Sequence, residues 1–375
     1  MSTRIIKKIV VIENFMCVYR NYNSLSKASR LMLWLRLLLI ISLYAIDVFI
    51  RINYFLNHNL RRIMNFFLNV ITSCAIIILA LYQSKKYEIL LRYFAKNSSL
   101  FSKDALYTEK LDRIYKIVII FHVFNFIISI AIQIFNNISD ENTFNSTEVM
   151  HSLMMVMCNN RFMAEYIFLW TLLSILTEQV KFITRKIFEE IVTPVSKMEW
   201  ESEEIVVIEH EVTSFNEWRT VYNDIKECSN LINSIFGLQI TVFLLVTTFY
   251  LLIFLYSVVL NIVFGLFLKS VTFGYIIKNI IFLAAIVAFC RSAQAAQNSV
   301  TELNYCLGKV LIHSLATYNN KKLYKETKDF LHLISSRPIR TQAFGSINID
   351  MMLLPKFIMF LTSHTIIALQ LNNVL

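Results

Sequence analysis

Arg161 and Glu165 stand four residues apart in the mostly apolar run Ser152 to Thr177. Four residues is one helical turn, so the two share a face. In an apolar setting each charge is costly alone, and mutual pairing is the simplest way to keep both. Asn159 and Asn160 precede them directly. Amides and an arginine among aromatic residues are also what a small-molecule site uses to orient a ligand. Ligand contact through Arg161 or the two asparagines is therefore the second reading. Another amide, Gln370, lies near the end of the apolar run Met351 to Leu371 and must face protein or water.

These residues are carried by long apolar segments. The chain has 375 residues, 56% hydrophobic and 17% charged, with only five Gly and three Pro. Soluble domains carry about 25% charged residues, so this is a helical integral membrane protein. A span needs about 20 mostly apolar residues. Seven runs qualify: Leu31–Ile50, Ile63–Tyr82, Ile117–Phe135, Ser152–Thr177, Ile235–Leu260, Val271–Cys290 and Met351–Leu371. The fourth carries the most interrupting polar residues.

Lys and Arg concentrate on the cytoplasmic side of membrane proteins. With the N-terminus inside, the inner segments hold 28 basic residues and the outer loops hold 4. Two sequons, at Asn137 and Asn145, then fall in an extracellular loop and are candidate glycosylation sites. This orientation is opposite to that of G-protein-coupled receptors. Pro355 is the only proline in any span, and Asn-Pro-x-x-Tyr is absent.

The inner loops are long. Residues 178–234 hold nine acids between Glu199 and Glu227, with apolar positions at helical spacing from Val206 through Phe215, Trp218, Val221, Tyr222 and Ile225. Leu303, Cys306, Leu307, Val310, Leu311 and Leu315 form a second stripe. Both predict cytoplasmic helices that pack on each other or on neighbouring subunits.

The sequence lacks a P-loop, a nucleophile elbow, HExxH and a dinucleotide glycine motif, so an enzyme is not expected. The six cysteines show no CxxC or Cys/His spacing. No metal, cofactor or nucleic acid is expected. The net charge of +10 follows from topology and contact with lipid headgroups.

The tail resembles the insect gustatory receptors of the insect chemoreceptor superfamily. Their last span carries Thr-Tyr, five hydrophobic residues and Gln-Phe. Here Ser363-His364, Thr365 to Leu369 and Gln370-Leu371 align on the glutamine. Ala343-Phe344-Gly345-Ser346-Ile347-Asn348-Ile349-Asp350 resembles the family's Ala-x-Gly-x-Phe-x-Ile-Asp approach to that span. Ser, His and Leu replace Thr, Tyr and Phe, while Gln370 is kept.

The resemblance implies an all-α seven-helix bundle forming a tetrameric ligand-gated cation channel, homomeric or mixed with related receptors. The last helix lines a central pore, a cytoplasmic helical anchor holds the tetramer, and a pocket in each bundle binds a small-molecule tastant. The expected organisation is a cytoplasmic segment 1–30, a six-span bundle 31–290 with cytoplasmic helical extensions around 178–234, anchor helices 291–349, and the pore span with a short extracellular end at 350–375.

Gln370, Ile367 and Ser363 are then pore-lining, with Ile367 as the hydrophobic constriction and His364 beside the gate. The outer bundle offers Asn69, Gln133, Asn159, Asn160, Arg161, Tyr250, Tyr256, Tyr275 and Asn279 as pocket residues, with Glu165 deeper in the fourth span. The expected function is taste detection, tuned to bitter or plant-derived compounds, in the plasma membrane of sensory neurons. The alternatives are an odorant receptor subunit that needs a co-receptor, and a seven-span transporter.

Overall fold

The computed structural model describes residues 2–16, 18–20, 22, 25–55, 60–96, 98–139, 146–189, 207–263, 270–316, 321–343 and 345–371. Among the described residues seven long helices carry the apolar runs, the last of them from Leu353 onward. They are α2 (Lys27–Phe55), α3 (Leu60–Tyr82), α6 (Ala105–Ser139), α7 (Ser146–Ile187), α8 (Val207–Val263), α9 (Ser270–Ala316) and α11 (Leu353–Leu371). Around them stand α1 (Ser2–Phe15), α4 (Ser84–Lys96), α5 (Ser98–Ser102) and α10 (Lys321–Ser336). Among the described residues six helices are long and apolar enough to cross a membrane alone, and seven if α3 with α4, bent by 64° between them, forms one broken span.

Local chemistry sets several helix starts. Ser26 Oγ accepts the amide of Ser29 at 3.2 Å ahead of α2. Asp104 Oδ1 accepts that of Tyr107 at 2.7 Å ahead of α6. Both are N-cap bonds that satisfy an amide the helix itself leaves orphaned. On α4, Ser84, Tyr87, Leu90 and Phe94 form one buried face at three- to four-residue spacing, which turns the helix back onto the bundle.

The central helix is α7. In its membrane stretch 72% of residues are buried inside the protein, against 17% for α2. It packs on α9, α6, α3 and α8. This explains why the fourth run is the most polar: it meets protein on nearly every side, so its polar groups find partners instead of lipid.

Helices α8 and α9 run on past the apolar stretch. The inner part of α8 buries Phe215, Trp218, Val221, Tyr222 and Ile225. Phe330 of α10 meets Phe215 and Tyr222 edge-on, at ring separations of 6.2 and 5.8 Å. The stripe on α9 buries Leu303, Cys306, Leu307 and Val310, but Leu315 is 59% exposed. The apolar seam therefore ends sooner than the sequence pattern implies.

Between α10 and α11 the chain is a small hairpin. Strand β1 (Gln342–Ala343) pairs antiparallel with β2 (Ile347–Asn348), in the register Gln342 with Asn348 and Ala343 with Ile347. Gly345 has φ 71° at the turn, a conformation open to glycine at little cost. Ala343 and Ile349 are fully buried, and Asp350 Oδ1 accepts the amide of Met352 at 3.0 Å as α11 begins. The residues that resemble the family approach to the last span thus supply a turn, two apolar anchors and a cap.

Candidate ligand site and pore face

Arg161 is 1% exposed and Glu165 fully buried, one turn apart on α7. They do not pair as the sequence led us to expect. Arg161 donates Nε to the carbonyl of Met16 at 2.8 Å and Nη1 to Tyr44 Oη at 3.3 Å and to Ser73 Oγ. Glu165 Oε2 instead takes Nη2 of Arg20, whose Nε also meets Glu13 at 3.2 and 3.3 Å. The reason is the N-terminal segment, which is not a free arm. Ile5, Ile6, Ile9, Val10, Glu13, Val18 and Arg20 are all buried in the bundle, so it brings a carbonyl and a second cation within reach of α7.

Two arginines and two glutamates therefore share this interior. A buried charge without such pairing costs several kcal/mol, of the order of 3 to 5 when one partner is removed. Burial pushes the Glu13 carboxyl up, to about 8, with Arg20 opposing.

Toward the outer side of Arg161, Asn160 Oδ1 accepts from Asn125 Nδ2 of α6 at 2.7 Å. Its own amide donates to the Val156 carbonyl at 2.8 Å. Among the described residues Asn159 Oδ1 is buried without a hydrogen-bond partner. Tyr44 Oη lies 2.8 Å from Cys158 Sγ and 3.3 Å from Ser73 Oγ. Asn69 of α3 donates to Met155 Sδ at 3.7 Å.

An aromatic cluster closes the other side of α7. Phe162 lies 4.9 Å from Phe243 and 5.1 Å from Phe282. Tyr166 packs 5.3 Å from Phe243 and 6.2 Å from Phe289, and its hydroxyl is 3.4 Å from Thr247 Oγ1. Tyr250 meets Phe282 at 5.7 Å. Rings packed edge to face next to a few fixed amides give this side of α7 an apolar lining with isolated polar groups.

Of the pocket residues expected from sequence, Asn159, Asn160, Arg161 and Glu165 cluster on α7 with Asn69 on α3. Tyr250 and Asn279 are buried, and Tyr256 is half-buried. The side chains of Gln133, Asn137 and Tyr275, and Asn145 altogether, lie outside the described residues. Sequence reasoning missed Arg20, Glu13, Tyr44, Asn125, Phe162 and Phe243. For Phe162 and Tyr166 a signal existed: they repeat the four-residue spacing of Arg161 and Glu165, one position on.

On α11, Leu361, Thr365 and Leu369 are buried against the bundle, mainly on α8. Ser363, His364, Ile367 and Gln370 are exposed. Positions 363, 367 and 370 fall on one face by their spacing. His364 stacks on Phe360 with centroids 3.8 Å apart, and its Nδ1 sits 2.9 Å from the Phe360 carbonyl.

Among the described residues no cluster of His, Cys, Asp and Glu could hold a metal ion. No curated protein matches the sequence. The fold is that of the insect olfactory receptor OR5 from Machilis hrabei. Its complex with eugenol aligns with TM-score 0.69 and 12% identity, over 99% of this chain and all (100%) of that one. A second structure of that receptor aligns with TM-score 0.61 and 11% identity, over 89% and 88%. A family model for the 7tm chemosensory receptors matches residues 16–372. The chain is a membrane chemoreceptor, not an enzyme, and belongs to the 7tm chemosensory receptor family.

Proposed function

We propose that this chain is a gustatory receptor subunit, a ligand-gated cation channel that opens when a small plant-derived compound binds inside its bundle. The observation that carries the reading is the two-sided character of α11. Its own subunit buries Leu361, Thr365 and Leu369 and leaves Ser363, Ile367 and Gln370 open. A polar and apolar stripe in that position suits an axis shared with three further copies, or with related receptors. There Gln370 forms a neutral ring of amides that contacts hydrated cations, and Ile367 forms a constriction closed by dewetting.

The ligand contacts in this reading are Asn159 and Asn160, with Phe162, Tyr250 and Phe282 as apolar walls. The inner ends of α8 and α9, with α10, form the cytoplasmic anchor. The channel sits in the plasma membrane of sensory neurons, in contact with lipid along α2 and α6. The gustatory assignment is supported by the tail, where Gln370 and the segment Ala343 to Asp350 resemble gustatory receptors.

Expression of the chain alone in cells, with recordings during application of a panel of plant-derived compounds, tests the reading. Compound-evoked cation current whose relative permeabilities change with Gln370→Ala is the expected result. Saturable uptake of a compound without current would overturn it.

A further inference from the structure

Arg20 lies on the short non-helical segment that follows α1, yet its guanidinium is among the most deeply buried groups in the chain, 1% exposed. It is surrounded as a bound cation would be. Its Cζ is 5.0 Å from the Phe168 ring of α7 and 4.7 Å from the Phe236 ring of α8. Glu165 and Glu13 supply carboxylate oxygens. The buried Tyr87 ring of α4 packs 6.1 Å from Phe168. Gln239 of α8 faces the Glu165 carboxylate. Aromatic faces flanking a cation beside a carboxylate are the chemistry by which proteins recognise guanidinium and alkylammonium groups.

We propose that Glu165, Phe168 and Phe236 form an organic-cation site in the inner part of the bundle, that Arg20 is its tethered occupant, and that this occupancy holds the channel closed. The site is built by α7 and α8, whereas its occupant comes from a segment outside any helix. Arg20 can therefore withdraw without unwinding a helix. Its seat pins α7 to α8, and α8 carries both α11 and β1. A movement of α11 that shifts α8 relative to α7 breaks the contacts of Arg20. A free guanidinium ion fits the same site once the tethered one is removed.

The gating part rests on the channel reading above; the cation site does not. Arg20→Ala is expected to raise agonist-independent cation current about tenfold, the scale of a typical coupling energy, and to lower the Tm of the detergent-purified protein. Millimolar guanidinium chloride, compared with sodium chloride at the same concentration, should return both towards wild type. It should do neither in the Arg20→Ala/Glu165→Gln double variant. Arg20→Lys retains the charge but loses the planar fork, and should lie between, which keeps the test usable if Arg20→Ala folds poorly.

A Tm of Arg20→Ala that does not respond to guanidinium overturns the cation site, whatever the currents show. An unchanged basal current in Arg20→Ala at wild-type surface level overturns the gating role. Failure of the wild type to pass any compound-evoked current overturns the channel reading and the gating role with it, while the Tm result still decides the cation site.

Discussion

Arg161 and Glu165 share one face of α7 and are both buried, yet each finds its partners in a different part of the chain. Arg161 reaches the Met16 carbonyl, Tyr44 and Ser73, while Glu165 takes Arg20. The N-terminal segment is therefore tied twice to the central helix, once through a backbone carbonyl and once through a guanidinium. The two ties lie one turn apart.

Removing the first tie should be expensive. Arg161→Ala strips the donor from the buried Met16 carbonyl and from the Tyr44 and Ser73 hydroxyls. The expected loss is about 1 to 3 kcal/mol, the usual cost of leaving a buried hydrogen-bonding group unsatisfied. Thermal unfolding in detergent and surface expression both report it, and a Tm equal to wild type would show that Arg161 is dispensable.

In the proposed function Asn160 is a ligand contact. Asn160→Ala leaves the amide of Asn125 without its acceptor at a cost of about 1 to 3 kcal/mol. The half-maximal concentration for an activating compound should rise by about tenfold, equivalent to 1.4 kcal/mol of binding, with the protein still reaching the surface. An unaltered dose–response curve would remove Asn160 from the ligand site.

Ile367 is 50% exposed on the open face of α11. If four such side chains close the pore by excluding water, Ile367→Ser should hydrate the constriction and give a standing cation leak without ligand. Whole-cell recording before compound application measures it. A silent variant with normal ligand responses would place the gate elsewhere.

Communication between α8 and the last helix should depend on Asn233. Its Nδ2 donates to the Arg340 carbonyl at 2.7 Å, and its Oδ1 accepts the Gln342 amide at 3.1 Å. Tyr222 and Lys226 bond the Arg337 and Pro338 carbonyls at 3.3 and 2.7 Å. Together they clamp the hairpin that starts α11. Asn233→Ala should cost only about 1 kcal/mol of stability but reduce maximal evoked current more than it shifts potency. Equal current at saturating compound would show that the clamp plays no part in opening.

The seven long helices were legible in the chain itself, because apolar runs of spanning length have few alternatives in a bilayer. The open face of α11 was legible too, since Ser363, Ile367 and Gln370 follow helical spacing. So was the turn at Gly345, where a residue free of Cβ permits positive φ. What only the tertiary structure decided was which charge meets which. Periodicity relates residues a turn or two apart, and on that basis Arg161 and Glu165 were natural partners. The contact that separates them joins Arg20 to Glu165 across 145 residues. It exists because α1 folds back into the bundle, which no local pattern reports. The aromatic cluster of Phe162, Phe243 and Phe282 is of the same kind, since a phenylalanine facing lipid and one facing a neighbouring helix look alike in sequence. Packing around α7 separates them, by giving some side chains protein neighbours and leaving the rest to the bilayer.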